Sequence, residues 1–317
     1  NRLRKGKPVS VIYRYINGYP SLLKELVRLI SEIFAIGICR MAKIHLVWMC
    51  HNVDRESSVY HERISGIRRY LFSKFSNKIL VTDPLLVPKA KTIFPLQQDK
   101  IDYFTFGEHT EESQNRGSDM LTASIIRFIK MQKEMHKDDR LLFALCVGHA
   151  NWKTAHFDKI PELLQKAEHI GSPIRIIVVG PLSDYYSEVN PTLIKQLSSD
   201  HRVFFHDGFA QIDEKTIAKY IDFYWRAYRD LSTPFTVYHS AALGKPILAQ
   251  GPGFLEDMVK CYNLGATVKD DFSDLESAIE ELRHWSSKHA MSFLESHSWD
   301  IGAQRILAAS EFDVRNR

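Results

Sequence analysis

The residues best suited to chemistry follow apolar, strand-like runs in the second half of the chain. In the segment 148–153, a glycine allows a phosphate to approach the backbone and Lys153 supplies a positive charge five residues later. The segment 229–236 offers an arginine, three hydroxyls and the N–H groups of a following helix. Both combinations are typical of phosphate-binding sites. The alternatives are an ordinary βα turn with a surface lysine, and Ser232 or Thr233 as a simple helix cap.

These segments belong to a regular alternation of apolar strands and helix-length stretches. The pattern predicts strands at 9–13, 44–50, 78–82, 101–106, 141–147, 174–179, 203–205, 223–227 and 246–249. It predicts helices at 21–40, 64–75, 120–136, 160–169, 213–220 and 236–243. Because parallel strands need such crossovers, we expect an α/β protein with two doubly wound sheets. The polar stretch 107–119 marks the boundary between them.

The charge of the chain is unevenly distributed. The net charge is +4, but residues 1–110 carry 18 Lys/Arg against 9 Asp/Glu and the remainder carries 24 against 29. A basic first half suggests an anionic partner, such as a membrane surface, a lipid diphosphate or nucleic acid. An ordinary basic surface is the alternative. Nucleic acid is disfavoured because no recognisable reading motif accompanies the basic residues.

The helix predicted at 64–75 is the candidate membrane-facing element of this basic half. Apolar residues three to four positions apart on a cationic helix suit the interface of an anionic bilayer. A core helix with solvated cations is the alternative. The apolar set is Ile64, Ile67, Leu71, Phe72 and Phe75, and the cationic set is Arg63, Arg68, Arg69, Lys74 and Lys78.

The cysteines and the longest apolar stretch indicate the compartment. Four cysteines without paired spacing predict reduced, mostly buried thiols and no metal site. The stretch 22–39 is interrupted by four charged residues and is too polar to span a bilayer. We therefore expect a cytoplasmic protein, and the basic first half allows a place on the inner face of the membrane.

The segment 222–246 resembles the C-terminal motif of the large, mostly retaining family of GT-B glycosyltransferases. That motif combines a strand starting with Asp, the run Ser-Arg-Tyr-Glu-Gly-Phe-Gly, a helix and Gly-x-Pro. Asp222, Arg229, Ala242, Gly244 and Pro246 fall in register with it. Further segments similar to the family follow in the right order, at 47–52, 147–153, 178–180, 203–209 and 298–307.

The resemblance implies a GT-B architecture, with two Rossmann-like domains facing across a cleft. We expect an acceptor-side domain over 1–119 and a nucleotide-sugar-binding domain over 120–297. A C-terminal helix over 298–317 would cross back to the first domain. The family's opening strand and glycine-rich loop have no counterpart, so the N-terminal domain is expected to lack its first strand or strands.

The chain departs from the family at the donor site. Two glutamates that hold the donor are replaced by Leu231 and His239, and the loop arginine is replaced by His149. The glycine cradle contains a proline, which removes one N–H group. Hydroxyl groups could substitute for the glutamates, the arginine and the N–H group that the family uses to bind the donor. The donor-binding set implied by the resemblance is Gly148, His149, Lys153, Arg229, Ser232, Thr233, Thr236 and His239.

In the first half, the segment ending in His51 and Asn52 resembles the family's strand that ends in His-Asn. The resemblance makes His51 the catalytic candidate, near the donor sugar; a structural histidine is the alternative. Residues expected on the acceptor side are Arg14, Asn17, Asp54 and Glu56. An inverting reaction would need one of these carboxylates, or a histidine, as the base.

These inferences together predict a glycosyltransferase of the hexosyltransferase type. It would transfer a sugar from a UDP- or GDP-type donor, without a resident cofactor or metal, to a glycan or lipid-linked acceptor in cell-surface polysaccharide or glycolipid synthesis. Positioning and stabilisation of the leaving diphosphate would provide the catalysis. Two alternatives remain: a non-catalytic GT-B subunit that binds a partner transferase, and a sugar-nucleotide epimerase.

Overall fold

A computed structural model describes residues 10–56, 59–108, 116–136, 140–151, 156–228 and 230–310, with side chains in the helix that begins at Arg116 described from Met120. The chain divides into two compact units. Unit 1 comprises Asn1–Gly107, Asp230–Thr233 and Ser296–Arg317. Unit 2 comprises Glu108–Arg229 and Pro234–Glu295. The division between the units falls at the start of the stretch 107–119, which the sequence marks as the boundary. The chain also returns to unit 1 at Asp230–Thr233, a crossing that the predicted boundaries did not include.

Parallel strands and helices alternate through both units. The strands are β1 (Ser10–Tyr13), β2 (His45–Cys50), β3 (Lys78–Val81), β4 (Ile101–Tyr103), β5 (Leu142–Val147), β6 (Ile174–Gly180), β7 (Val203–Asp207), β8 (Phe223–Ala227), β9 (Ile247–Gln250) and β10 (Gly265–Val268). The helices are α1 (Leu22–Met41), α2 (Glu62–Phe75), α3 (Leu86–Ile93), α4 (Arg116–Met135), α5 (Ile160–His169), α6 (Ser183–Val189), α7 (Pro191–Ser199), α8 (Glu214–Ile217), α9 (Phe235–Ala242), α10 (Phe254–Tyr262), α11 (Leu275–His284), α12 (Lys288–Ser296) and α13 (Trp299–Ser310).

Unit 1 is built on a four-stranded parallel sheet in the order β1-β2-β3-β4. Its central strands β2 and β3 are almost continuously apolar, as expected for strands covered on both faces. Trp48 pairs with Ile79 across them, and Phe72 of α2 packs against the Trp48 ring at 6.2 Å between centroids. The C-terminal helix α13 belongs to this unit, where Gly302 lies so close to Thr105 that a side chain would collide with its carbonyl oxygen.

Helices α1 and α2 of unit 1 meet through a buried ion-pair network. Arg68 of α2 is fully buried and donates to Glu25 at 2.7 Å and to both oxygens of Glu32 at 2.6 and 2.7 Å. Arg28 reaches Glu32 from the rim at 3.1 Å. The expectation that Arg68 contributes to a cationic outer face of α2 is therefore wrong. The carboxylates of α1 draw this guanidinium inward because each buried charge needs a partner.

Arg69 of α2 is likewise engaged within unit 1. It donates to Glu56 at 2.5 Å and to the carbonyl oxygens of Asn52 and Val53 at 3.0 and 2.6 Å. Phe72, predicted among the apolar residues of a membrane-facing helix, is buried in the core. For Arg68, Arg69 and Phe72, the structure therefore favours a helix packed into the core over a membrane-facing helix.

Unit 2 contains a six-stranded parallel sheet in the order β10-β9-β8-β5-β6-β7. The chain moves outward from β5 through β6 to β7 and then returns to place β8 on the other side of β5. The strand order therefore reverses between β5 and β8. In doubly wound sheets, ligands bind beyond the carboxyl ends of the strands at such a reversal. This topology selects the ends of β5 and β8 as the place to search for a site.

Two further observations concern the cysteines and the hydrophobicity of the helices. Cys39, Cys50 and Cys146 are buried, Cys261 is exposed, and all four are free thiols. Within the described part of the chain, no helix is long and apolar enough to cross a membrane.

Candidate active site

A pocket of about 300 Å³ opens in unit 2 where the strand order reverses. Strands β5 and β8 contribute their carboxyl ends, and helices α8 and α9 contribute side chains from the opposite wall. The lining residues are Val147, Gly148, His149, Asn151, Glu214, Tyr224, Arg226, Tyr228, Pro234, Phe235, Thr236 and His239.

Two glycines shape the floor of this pocket. Gly148 follows β5 with φ of 151°, a conformation that other residues avoid. Gly180 ends β6, and a side chain there would collide with the carbonyl oxygen of Gly148. A Cβ built on Gly148 would lie 2.7 Å from Nη1 of Arg226. The absence of both side chains therefore lets the arginine lie directly beneath the backbone of the turn.

Arg226 is the principal charged group of the pocket. It lies in β8 with only 7% of its surface exposed. Its Nε has no hydrogen-bond partner, and Nη1 contacts the Cys146 sulfur at 4.0 Å. The ion pairs among the described residues include none to Arg226. Burial of a guanidinium that has no counter-charge among the described residues is costly, so an anionic ligand would stabilise this position.

Sequence reasoning missed Arg226. The signal was a single charge inside the apolar run FYWRA, in a strand expected to be buried on both faces. Such a charge must be paired or must meet a ligand. The choice between these outcomes depends on three-dimensional neighbours that no local pattern contains.

A carboxylate lies on the α8 and α9 side of the same pocket. Glu214 accepts a hydrogen bond from the Tyr224 hydroxyl at 2.7 Å, and its other oxygen lies 3.5 Å from Nδ1 of His239. Burial, with Glu214 as a second cause, raises the pKa of Tyr224, so its hydroxyl remains a donor. Glu214 was also missed, because its partners lie 10 and 25 positions away in the chain. Such a carboxylate can accept hydrogen bonds from sugar hydroxyls.

Helix α9 begins at the pocket edge. Its N-cap is Pro234, which makes no side-chain cap, so neither Ser232 nor Thr233 caps this helix. The first N–H groups of a helix lack partners within the helix and carry partial positive charge. Thr236 adds a hydroxyl in the first turn, and the helix N-terminus therefore favours an anion in the same pocket as Arg226.

Four residues of the expected donor set come together here: Gly148, His149, Thr236 and His239 all line the pocket. The His149 ring also stacks on Phe209 at 6.3 Å between centroids, and Phe209 is 85% exposed. Lys153 and Arg229, predicted for the same site, lie outside the described residues.

Ser232 and Thr233 are not among the pocket residues. Both are buried in the segment that belongs to unit 1. The Ser232 hydroxyl donates to Asp230 at 2.7 Å, and the Thr233 hydroxyl lies 2.9 Å from that of Thr82, which follows β3. The structure therefore does not bring Ser232 and Thr233 into this pocket with the rest of the expected donor set.

In unit 1, His51 follows β2 and lies in an aromatic box. Its ring stacks on Tyr15 at 4.5 Å and on Phe106 at 5.8 Å, and Phe104 presents its edge at 5.8 Å. Nε2 is buried and has no hydrogen-bond partner. Burial, assisted by the positive charge of Arg14, lowers the pKa of His51 to about 4. His51 is therefore a neutral imidazole near pH 7, with a nitrogen available to a partner.

The residues expected on the acceptor side differ in their surroundings. Glu56 is buried, with one oxygen on Arg69 at 2.5 Å and the other on Asn52 at 3.2 Å, an arrangement that argues against a role as general base. Asp54 and Arg14 are exposed, and Arg14 contacts the Tyr15 hydroxyl at 3.0 Å. The side-chain oxygen of Asn17 is buried and has no hydrogen-bond partner. In the described ranges, no cluster of three or more His, Cys, Asp or Glu side chains could hold a metal ion.

Comparison with known proteins identifies the fold. No protein-family model matches the chain, and no curated protein matches it. HepE of Anabaena, solved in complex with UDP, is similar with a TM-score of 0.59 and 14% identity over 90% of this chain and 77% of that one. The catalytic domain of starch synthase IV from Arabidopsis thaliana, bound to ADP and acarbose, is similar with a TM-score of 0.62 and 11% identity. The match covers 97% of this chain and 73% of that one.

A glycosyltransferase from Rickettsia africae is similar with a TM-score of 0.55 and 13% identity, over 97% of this chain and 91% of that one. At these identities the likeness establishes the fold. The prediction of two parallel α/β sheets is confirmed, with the reversal of strand order seen in unit 2, and the chain has the fold of GT-B glycosyltransferases.

Proposed function

We propose that this protein is a glycosyltransferase that binds a nucleotide-sugar in the pocket of unit 2, with the donor diphosphate on Arg226. The observation that carries the proposal is the buried, unpaired guanidinium at the point where the strand order of the sheet reverses. Structures of the same fold hold UDP or ADP. A diphosphate would supply the counter-charge that Arg226 lacks.

The geometry suits the charge that develops during sugar transfer. As the bond between the anomeric carbon and the diphosphate oxygen breaks, the electron pair moves to the leaving nucleoside diphosphate. The acceptor hydroxyl forms the new bond to the anomeric carbon, and its proton passes to the leaving diphosphate or to water. Arg226 and the N-terminus of α9 would stabilise the leaving group, and burial strengthens that attraction. The donor is of the UDP or GDP type, and no resident cofactor is part of this proposal.

Glu214 supports an active enzyme over a non-catalytic subunit. The family resemblance places a donor glutamate where this chain has His239, a loss that favours the non-catalytic alternative. The Glu214 carboxylate nevertheless lies 3.5 Å from the His239 ring, on a different helix. The pocket thus retains a carboxylate although the sequence position that normally supplies it has changed. We propose that Glu214 accepts hydroxyls of the donor.

We keep His51 as the proposed catalytic residue of unit 1. Its neutral ring and unpartnered Nε2 are suited to positioning or polarising a hydroxyl. Replacement by alanine should reduce turnover more than nucleotide affinity, because the residue would act in the transition state. The acceptor is proposed to be a glycan or lipid-linked sugar of cell-surface polysaccharide or glycolipid synthesis, consistent with the basic first half.

Calorimetric titration with UDP, GDP and their sugars tests the donor site. Arg226→Met should weaken nucleotide binding by about 1.5–3 kcal/mol, the range for hydrogen bonds to charged groups. Arg283→Met, which removes an arginine of unit 2 outside this pocket, is the matched control and should bind as the wild type does. Equal affinity of the Arg226 variant and the control, with both folded, would refute the placement. Nucleotide binding without release of UDP or GDP from any sugar donor would favour the non-catalytic subunit.

A further inference from the structure

Helix α1 is amphipathic with the opposite orientation to an ordinary surface helix. The face toward α2 and β2 contains two glutamates, Glu25 and Glu32, which are buried against Arg68. The opposite face contains large apolar side chains that are exposed. Helices that cover a sheet normally bury their apolar stripe and expose their charges. In α1 the charges are inside and the apolar stripe is outside.

The exposed apolar residues form one continuous stripe. They recur at intervals of three or four positions, so they lie above one another along the helix. The central row is Leu23, Val27, Ile30, Phe34, Ile38 and Met41. Leu23, Phe34 and Met41 are 72%, 67% and 81% exposed. Leu22, Leu26 and Ile33 widen the row on one side. A contiguous apolar patch of this size on a soluble protein marks an interaction surface.

The stripe points away from the rest of unit 1. The buried positions of α1 are Glu25, Glu32, Ile36 and Cys39, and they lie on the opposite side of the helix from the central row. Another helix packed beside α1 on the same sheet would cover its flanks rather than its outermost face. The partner must therefore approach from outside the layer of helices that covers the sheet.

The charges around the stripe select the kind of partner. Both carboxylates of α1 are paired within unit 1, with Arg68 and, for Glu32, also with Arg28. The charged side chains that α1 exposes are Lys24 and Arg40, and exposed Lys43 follows the helix. On the neighbouring helix α2, Ile67 and Tyr70 are also exposed, and Lys74 contacts the Tyr70 hydroxyl at 3.0 Å. An apolar stripe with a cationic border and an exposed tyrosine matches the interface of a bilayer with anionic lipids.

We propose that the outer face of α1 is the membrane-docking surface of this protein, lying in the plane of an anionic bilayer. The central row enters the boundary between headgroups and acyl chains, while Lys24, Arg40 and Lys43 contact lipid phosphates. This inference deepens the proposed function, since docking would bring the enzyme to a lipid-linked acceptor. It moves the predicted membrane contact from α2 to α1. Vesicle binding and nucleotide binding are measured separately, so either proposal can fail alone.

Vesicle sedimentation of the full chain tests the proposal. The probes are phosphatidylcholine vesicles with and without phosphatidylglycerol, at low and high salt. The test variant is Leu23→Ser/Phe34→Ser, which changes two exposed residues and so spares the core. The matched control is Leu96→Ser/Leu307→Ser, since Leu96 and Leu307 are 86% and 64% exposed but lie outside α1.

We expect binding that requires phosphatidylglycerol, falls as salt rises, and drops about tenfold or more in the α1 variant but not in the control. Nucleotide affinity should be equal in all three proteins. Equal binding by the wild type and the α1 variant, equal binding to both vesicle types, or no binding at all would overturn the proposal. Sedimentation velocity provides the second measurement: a wild-type dimer that the α1 substitutions dissociate would assign the face to a second copy instead.

Discussion

Arg68 of unit 1 and Arg226 of unit 2 are both buried arginines, but their charges are compensated in different ways. Arg68 is fully buried and contacts two carboxylates at 2.6–2.7 Å. Arg226 is 7% exposed, and its contacts among the described residues include a cysteine sulfur but no carboxylate. The charge of the first arginine is compensated by carboxylates of the folded chain itself. For the second, we propose that a bound anion supplies the counter-charge. Burial alone therefore does not distinguish a structural arginine from a ligand-binding one; the partners do.

The largest expected effect is on Arg68. Arg68→Met would leave Glu25 and Glu32 buried with no full counter-charge, and we expect the free energy of unfolding to fall by about 3–5 kcal/mol. Urea unfolding measures this. Adding Glu25→Gln and Glu32→Gln should recover part of the loss, because the remaining groups are then neutral. A loss below about 1 kcal/mol, typical of an exposed ion pair, would show that the network is not a closed unit.

The same substitution at Arg226 should give the opposite pattern. Without nucleotide, Arg226→Met is expected to keep or raise the free energy of unfolding, because an unpaired buried charge is removed. With nucleotide at 100 times the wild-type dissociation constant, the wild type should gain about 2.7 kcal/mol and the variant much less. Thermal unfolding with and without UDP or GDP measures both. A destabilised variant that retains the full nucleotide effect would place Arg226 with Arg68 as a structural arginine.

The sequence predicted some elements of the fold at their observed bounds and missed others for local reasons. Local periodicity predicted α5 and β8 at their observed bounds. Helix α3 was missed because Pro88 lies within it, and β10 because it is four residues long and begins with glycine. The order of strands and helices was enough to predict two parallel α/β sheets.

The candidate site was only partly predictable, because some of its residues carry a local signal and others depend on neighbours that are distant in the chain. Gly148 and Thr236 were found because a glycine after a strand and a hydroxyl at a helix start are local signals. Arg226 and Glu214 were missed because their significance lies in which groups surround them. Ser232 and Thr233 were assigned to the donor from the motif, whereas their contacts with Asp230 and Thr82 are set by tertiary packing.

His51 shows a third way to bury a basic group, which is to remain uncharged. With a folded pKa of about 4 against the ordinary 6.5, the unfolded chain binds a proton in this interval and the folded chain does not. The free energy of unfolding should therefore fall as pH decreases from about 6.5 to 4, by up to about 1.4 kcal/mol per pH unit. His51→Phe keeps the stacked ring but cannot protonate, and it should reduce this slope in urea titrations. His284→Phe, at a side chain that is 83% exposed, is the control. An unchanged slope in the His51 variant would show that the pKa of His51 in the folded protein is close to its ordinary value.

The smallest expected effect concerns the turn above Arg226. Gly148→Ala places a methyl group 2.7 and 2.9 Å from Nη1 and Nη2 of Arg226, so the guanidinium must move. Gly208→Ala is a matched control in unit 2, because φ is 140° there and the nearest atom to the added carbon is His206 Nε2 at 3.9 Å. Both variants should lose about 1 kcal/mol of stability from backbone strain. In calorimetric titration only Gly148→Ala should also lose nucleotide affinity, by about 1 kcal/mol, since a displaced arginine keeps part of its attraction for a diphosphate. Equal affinity losses in the two variants would trace the effect to strain in the turns. Equal affinities to the wild type would separate Arg226 from the nucleotide altogether and end its contrast with Arg68.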